Sequence, residues 1–325
     1  MRFLLESLST DDNCVRELAV RLLGSQKGEE VVSGLQQRLT SADSAMREIA
    51  AFGLGLVHPR SAVEPLLRVV RDVAAGARAN ATWALGRIRD GRAVTPVTRA
   101  LEDDSPLVRE AAAGALGQLD SSSAVPALTR MLKQDPVASV RRTAAWALGQ
   151  LDAKQAVDGL AQALSSDKDA GVREMSAWAL GNIDARGATA ALVAAARGDS
   201  DETVRETAVW ALGQHGDRSA AEGIGNLLAS ETSPRVRSTA AWALGQFEVR
   251  VAPKGLIDAV DDSDDDVRLA AAWALSEIGD GAAVPALRAA LSREKDPHVR
   301  KAQVRALIHS GERSEQLYGD RKSVV

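Results

Sequence analysis

Tryptophan is the residue type in this chain best suited to binding chemistry, and every copy stands at one position of a repeated pattern. Indole faces stack on proline, pack on apolar side chains or receive a cation, and tryptophan is enriched at protein-binding hot spots. Five copies occur in the string Trp-Ala-Leu-Gly and the sixth in Trp-Ala-Leu-Ser. These residues, called the tryptophan row below, are Trp83, Trp146, Trp178, Trp210, Trp242 and Trp273.

The spacing of the tryptophan row predicts an array of about ten repeats of 31 or 32 residues. From Trp146 to Trp242 every step is 32 residues, and Gly114 holds the row position in a repeat without tryptophan. A period of this length is typical of stacked repeats rather than of a globular enzyme domain. Arg21 and Arg305 hold the row position in the first and last repeats, which predicts polar caps for the array.

An arginine stands five residues before the row position in every repeat. A helical wheel places it beside the buried stripe, so that it points toward the neighbouring repeat. We interpret these arginines as structural, with an anion-binding row as the alternative. Those of the later repeats are Arg109, Arg141, Arg173, Arg205, Arg237, Arg268 and Arg300. Acidic residues recur in the linker before the arginine, at Asp135, Asp169, Asp201, Glu231, Asp264 and Asp296.

Metal and nucleophilic chemistry find little support in the sequence. No histidine is followed by glutamate, and the single cysteine, Cys14, cannot supply the paired ligands of a zinc site. The acidic run at 261–266 could attract a cation, but it lacks the glycine and the distal glutamate of a calcium loop, which favours a solvated turn. We therefore expect no catalytic residues, no metal and no cofactor.

Composition narrows the class of partner. The net charge is −4, which argues against nucleic acid as a partner because such partners require a basic face. No apolar run approaches the length of a membrane span, and the N-terminus turns polar too early for a signal peptide. A single cysteine fits a reducing compartment. These features predict a cytoplasmic protein without a membrane or nucleic-acid partner.

One repeat, residues 121–151, predicts the elements that position these side chains. Val125, Leu128 and Leu132 form a first helical stripe, and Asp135-Pro136 interrupts it. A second stripe consists of Val140, Ala144, Ala147, Leu148 and Leu151. Neither helix can bury its stripe alone, so consecutive helix pairs must stack. The glycines three residues after the row position, such as Gly149, are read as close-packing or helix-terminating residues.

The repeated pattern Asp-x-x-Val-Arg-x-x-Ala-Ala-x-Ala-Leu-Gly-x-Leu, followed by Ala-Val-x-x-Leu, resembles the HEAT-like repeats named after the phycobilisome lyases. The resemblance covers roughly residues 3 to 310. It implies an all-α fold, an α-α superhelix of two-helix repeats, over residues 1–311. Residues 312–325 carry no periodicity, which predicts a flexible tail. The resemblance also implies an Arg–Asp ladder that joins consecutive repeats, and second helices that line the concave side.

The resemblance places the tryptophan row on that concave side, beside amides and acids that suit an extended peptide. The predicted partner-binding residues beside the row are Gln150, Asn182, Gln214, Gln246, Glu174 and Glu206. The expected function is a non-enzymatic scaffold that binds a protein or extended peptide along this face. Alternatively, each indole lies across a neighbouring helix and shields the seam between repeats, and both readings can hold together.

Three enzyme classes share this repeat type. A bilin lyase, or another tetrapyrrole-handling factor, is the alternative function, because an aromatic concave surface suits that ligand. A metal-dependent hydroxylase related to deoxyhypusine hydroxylase is less favoured, since the His-Glu pairs that bind iron in that class are absent. A DNA glycosylase relative would need a basic concave face, whereas Glu17, Glu48 and Glu110 are acidic.

Overall fold

The computed structural model describes residues 2–8, 10, 12–25, 28–183 and 185–311, and the tail expected at 312–325 lies outside them. Across these residues the chain forms α-helices and short 3-10 turns without a β-strand, which confirms the predicted all-α class. Each repeat contributes two helices, as the polar punctuation predicts, so the fold is an α-α solenoid. None of the described helices is both long and apolar enough to cross a membrane.

The helices alternate along the chain between a first and a second helix of each repeat. The first helices are α1 (Arg2–Ser7), α3 (Glu29–Arg38), α5 (Val63–Val69), α7 (Val94–Ala100), α9 (Val125–Gln134), α11 (Val157–Ser166), α13 (Thr189–Gly198), α15 (Ala221–Ser230), α17 (Lys254–Asp258) and α19 (Val284–Arg293). The second helices are α2 (Asn13–Gly24), α4 (Ser44–Val57), α6 (Ala75–Ile88), α8 (Pro106–Gln118), α10 (Ala138–Gln150), α12 (Ala170–Asn182), α14 (Glu202–His215), α16 (Pro234–Gln246), α18 (Asp265–Ile278) and α20 (Pro297–His309).

Side-chain caps begin many of the second helices. The Asp201 carboxylate, for example, accepts the amides of Thr203 and Val204 and so satisfies two donors that the helix leaves free. The same kind of cap stands at Asp12, Asp43, Asp169, Ser233, Asp264 and Asp296. Two of these helices end at a glycine in the left-handed region, Gly216 at φ 59° and Gly279 at φ 70°.

The buried core follows the predicted stripes. Leu128 and Leu132 of α9 are buried, as are Val140 and Leu148 of α10. Leu151 is only half-buried, because it lies just beyond the last turn of α10. Alanines fill much of the remaining core, and their small side chains allow helix axes to approach closely. The buried positions of these two helices therefore include most of the predicted apolar stripes.

The chain divides into two compact units, residues 1–160 and residues 161–325. In the first unit the second helices α2, α4, α6, α8 and α10 pack on one another in chain order. In the second unit α12, α14, α16, α18 and α20 do the same. This layer of second helices carries both the arginines and the tryptophan row, so the packing of the layer fixes their positions.

Candidate functional site

The repeated arginines bind carboxylates of the following repeat. In each pair Nε and Nη2 donate to the two carboxylate oxygens, a bidentate geometry with donor–acceptor distances of 2.6 to 3.2 Å. The third nitrogen, Nη1, donates to main-chain carbonyls of its own repeat, as Arg173 does to Asp167 at 3.0 Å. The pairs, called the arginine ladder below, are Arg47–Asp72, Arg78–Asp103, Arg109–Asp135, Arg173–Asp199, Arg205–Glu231, Arg237–Asp262 and Arg268–Glu294.

Three of the repeated arginines, Arg16, Arg141 and Arg300, are not among these seven pairs. Arg141 Nη1 donates to the carbonyl of Asp135 at 2.9 Å, and Arg300 Nη1 donates to those of Leu291 and Glu294. In the first repeat the approach of Arg16 to Asp43 is longer, at 3.8 Å. The contacts of these arginines therefore lie between and within repeats.

The linkers carry two kinds of acid, which the sequence did not separate. Asp135 and Glu231 are ladder partners, as the linker pattern indicated. Asp169, Asp201, Asp264 and Asp296 instead cap the second helices, so their expected role beside the arginine is wrong. The ladder acid stands two residues before the cap, where Asp199 also accepts the amide of Asp201 at 2.9 Å. It therefore ties the preceding repeat to the start of the next helix.

Electrostatics of the ladder favour the ionised acids. The Arg47 guanidinium holds the pKa of Asp72 below its usual 3.8, although burial opposes this. Burial raises the pKa of Asp199, but the Arg173 guanidinium and the Asp201 amide bring it below its usual value. The side chains of Arg173 and Asp199 are only 13% and 8% exposed, so solvent screens this pair weakly.

The tryptophans pack on glycines of the preceding repeat. A methyl group added at Gly213 would lie 2.5 Å from Cζ3 of Trp242, and one at Gly245 would lie 2.4 Å from Cζ3 of Trp273. Gly55 faces Trp83 in the same way, Gly117 faces Trp146 and Gly181 faces Trp210. We call this contact the indole–glycine seam. These glycines lie inside their helices, so they serve close packing, and the helix-terminating reading is wrong for them.

Two exceptions show how the seam depends on both partners. In the repeat where Gly114 replaces tryptophan, the main chain of Ala115 approaches Gly86 directly, and an added methyl would lie 2.6 Å from its Cα. In the repeat before Arg305, Ser276 replaces the glycine, and its hydroxyl lies 2.9 Å from Nδ1 of His309. A glycine is therefore present where an indole or a close backbone needs the space.

All six indoles of the tryptophan row are half-buried, and the five that pack on a glycine combine this seam contact with a surface. Trp83 is the most engaged, because Phe52 stacks on it at 5.2 Å and the Arg87 guanidinium lies 5.9 Å from the ring centroid. The predicted polar neighbours of the tryptophan row differ in their exposure to solvent. Gln150, Asn182, Gln214 and Gln246 are exposed, and Asn182 donates to the carbonyl of Trp178 at 2.9 Å. Glu174 and Glu206 are half-buried.

A groove of about 830 Å³ lies on the second helices of the second unit. It brings together Trp242, Trp273 and Glu206 from the predicted set. The other predicted partner-binding residues do not line it, and Trp83, Trp146 and Gln150 belong to the first unit. Sequence reasoning missed Leu269, Ala270 and Lys301, which also line it. A signal existed, since the residue after the ladder arginine is glutamate at Glu174 and Glu206 but becomes Leu269 and Lys301 in the last two repeats.

The remaining chemistry-bearing residues differ in their surroundings. Nε2 of His215 lies 2.9 Å from the carbonyl of Leu180, and Cys14 is exposed on α2. Among the described residues, Asp264, Asp265 and Asp266 form a cluster of three carboxylates. Asp264 caps α18 by accepting the amide of Val267, so this cluster marks a helix start.

A family model for HEAT repeats matches residues 32–103, 63–148, 132–213, 189–275 and 253–317. The chain belongs to the HEAT-repeat family. The matched segments overlap and cover most of the sequence, so the assignment applies to both units of this HEAT protein. No curated protein matches the sequence significantly.

Solved structures similar to this HEAT protein share its fold. YibA of E. coli is 21% identical with a TM-score of 0.60, over 76% of this chain and 91% of that one. Kap95p, solved with RanGDP, is 13% identical with a TM-score of 0.64, over 99% of this chain and 53% of that one. The CpcE–CpcF phycocyanin lyase of Nostoc sp. is 24% identical with a TM-score of 0.46, over 69% and 91%. At these identities the likeness concerns the fold alone.

Proposed function

We propose that this HEAT protein is a non-enzymatic scaffold that binds a segment of another protein on the second helices of its second unit. The groove of about 830 Å³ carries the proposal, because it presents two half-buried indoles, Trp242 and Trp273, on an open surface. Half-buried aromatic side chains beside polar ones are typical of protein-binding hot spots. The single exposed cysteine agrees with a cytoplasmic location.

The apolar character of the groove favours a protein ligand. Leu269 is 37% exposed and lies beside Ala270, whereas the equivalent position of the preceding repeats carries Ser238 and Glu206. An exposed leucine next to two indoles forms a contiguous apolar patch, and such patches on soluble proteins usually mark an interaction site. Kap95p, whose fold is similar, binds RanGDP, which supports protein binding by this fold class.

Affinity capture from the native host, followed by titration of the identified partner, tests the proposal. Trp273→Ala and Leu269→Glu should each weaken binding by about 2 kcal/mol or more, the usual cost at a hot spot. Trp83→Ala is the matched control, because Phe52 and Arg87 already cover that indole in the first unit. Its loss should change affinity by less than about 0.5 kcal/mol.

Two results would contradict the scaffold proposal. One is an unchanged affinity in both groove variants, and the other is an equal loss in Trp83→Ala. Circular dichroism distinguishes lost binding from lost folding, since Trp273→Ala removes a seam contact with Gly245. Leu269→Glu changes an exposed side chain and leaves that seam intact.

A further inference from the structure

The charges of the groove are balanced in number but separated in position. Three acids, Glu206, Asp264 and Asp266, and three permanent cations, Arg235, Lys301 and Arg305, line it. Glu206 is neutralised by an ion pair with Arg235 of the next repeat. Asp264 is engaged as the cap of α18. The position of the remaining charges, rather than their sum, therefore decides what the groove selects.

The free positive charge lies on α20. Lys301 and Arg305 are four residues apart, so they share one face of the helix, and both are exposed. Arg305 reaches Glu277 only at 3.8 Å, with side-chain exposures of 60% and 41%. Lys301 forms no ion pair with any residue the structure describes. The groove thus ends at two cations that a carboxylate of a ligand can bind.

The repeat before these cations supplies an apolar seat. Leu269 and Ala270 of α18 line the groove together with the indoles of Trp242 and Trp273 and the cations of α20. In the last three repeats the row position is held by Trp242, Trp273 and Arg305. In the last four repeats the residue that follows the repeated arginine is Glu206, Ser238, Leu269 and Lys301. A bound segment therefore meets aromatic and apolar surface first and positive charge one repeat later.

The spacing of the helices sets the spacing in the ligand. Packed helix axes lie about 8–10 Å apart, so consecutive repeats present equivalent side chains at about that interval. A polyproline-II segment rises about 3.1 Å per residue with three residues per turn, so residues three apart point the same way about 9.3 Å apart. In this conformation every third residue of the ligand faces the next repeat of the protein. The proline rings of such a segment stack well on indoles.

We propose that this groove binds a polyproline-II segment of a partner protein in which a large apolar residue and an acidic residue are three positions apart. The apolar side chain packs on Leu269 and Ala270 between the indoles, and the carboxylate pairs with Lys301 and Arg305. Asp266 stands exposed at the rim, so a continuous acidic tract is repelled. This inference rests on the proposed scaffold function and adds the chemistry of its ligand.

Fluorescence anisotropy with four fluorescein-labelled peptides of three designs, and with the full chain, tests the inference. The first peptide is Pro-Pro-Leu-Pro-Pro-Asp-Pro-Pro, measured together with its reversed sequence. The second carries lysine in place of aspartate, and the third is an octamer of glutamate. The first peptide, in one of its two orders, should bind at least about tenfold more tightly than the lysine peptide, because lysine replaces attraction to two cations by repulsion from them. It should also bind more tightly than the glutamate octamer, which lacks the apolar residue.

Charge-reversal variants identify the contacts. Lys301→Glu combined with Arg305→Glu should weaken the aspartate peptide about tenfold or more and should strengthen the lysine peptide. Lys295→Glu is the matched control, since Lys295 is exposed before α20 and does not line the groove. It should leave both affinities within about twofold.

The outcomes separate the inference from the scaffold proposal. Equal affinity for the aspartate and lysine peptides, or no effect of the double charge reversal, overturns the inference. The scaffold proposal survives that result if the captured partner still depends on Trp273 and Leu269. If neither the peptides nor the captured partner depend on these residues, both are overturned.

Discussion

Replacement of one ladder arginine is the sharpest test of what stabilises the array. Arg173 donates two hydrogen bonds to Asp199, at 2.7 and 2.8 Å, and one of 3.0 Å to the carbonyl of Asp167. A hydrogen bond to a charged group contributes about 1.5–3 kcal/mol, and breaking a fully buried ion pair costs about 3–5 kcal/mol. Arg173 and Asp199 keep 13% and 8% exposure, so Arg173→Ala should cost about 2–4 kcal/mol.

Arg197→Ala is the matched control, because Arg197 is exposed on the neighbouring helix α13 and should change the free energy of unfolding by less than about 0.5 kcal/mol. Repeat arrays need not unfold in one step, so urea denaturation followed by circular dichroism needs a local readout. Amide hydrogen exchange of α12 and α14 supplies it, since the pair joins these repeats. Equal unfolding free energies for the two variants, with unchanged exchange in α12 and α14, would refute a stabilising ladder.

Two further predictions concern the seam and the pH. Gly213→Ala should destabilise the second unit by about 1–3 kcal/mol, because the added methyl lies 2.5 Å from Cζ3 of Trp242. The control Gly198→Ala should leave stability unchanged, since a methyl there meets nothing within 4 Å. Equal shifts of the melting temperature in the two variants would contradict the seam. The lowered pKa of Asp72 means that its stabilisation is complete above its usual pKa of 3.8 and is lost as the pH falls toward the folded value. Arg47→Gln should return that pKa toward 3.8 in a carbon-detected NMR titration, and an unchanged pKa would exclude Arg47 as the cause.

The sequence predicted the repeat count, the helix pairs and the buried stripes because periodicity alone determines them. It did not separate the acid of the arginine ladder from the acid that caps the next helix. Asp199 and Asp201 have the same side chain two residues apart in one linker. Only the path of the main chain decides that Asp199 faces Arg173 while Asp201 turns toward its own helix.

The surface of the tryptophan row was harder to predict for a geometric reason. A helical wheel assigns each residue one direction, but an indole is long enough to leave that direction and to cover a neighbour. Trp242 therefore reaches Gly213 of the preceding repeat and is half-buried. The groove depends on side chains from four consecutive repeats, Glu206 to Arg305, and no pattern within one repeat reveals it.

The indole–glycine seam restricts which repeats can stand next to each other. Each indole and the glycine that accommodates it belong to different repeats, so neighbours must be compatible and cannot be exchanged freely. The repeat with Ser276 lacks that glycine, and the repeat that follows it lacks the tryptophan, since Arg305 holds the row position there. A tryptophan-bearing repeat therefore packs in this way only behind a repeat that supplies the glycine.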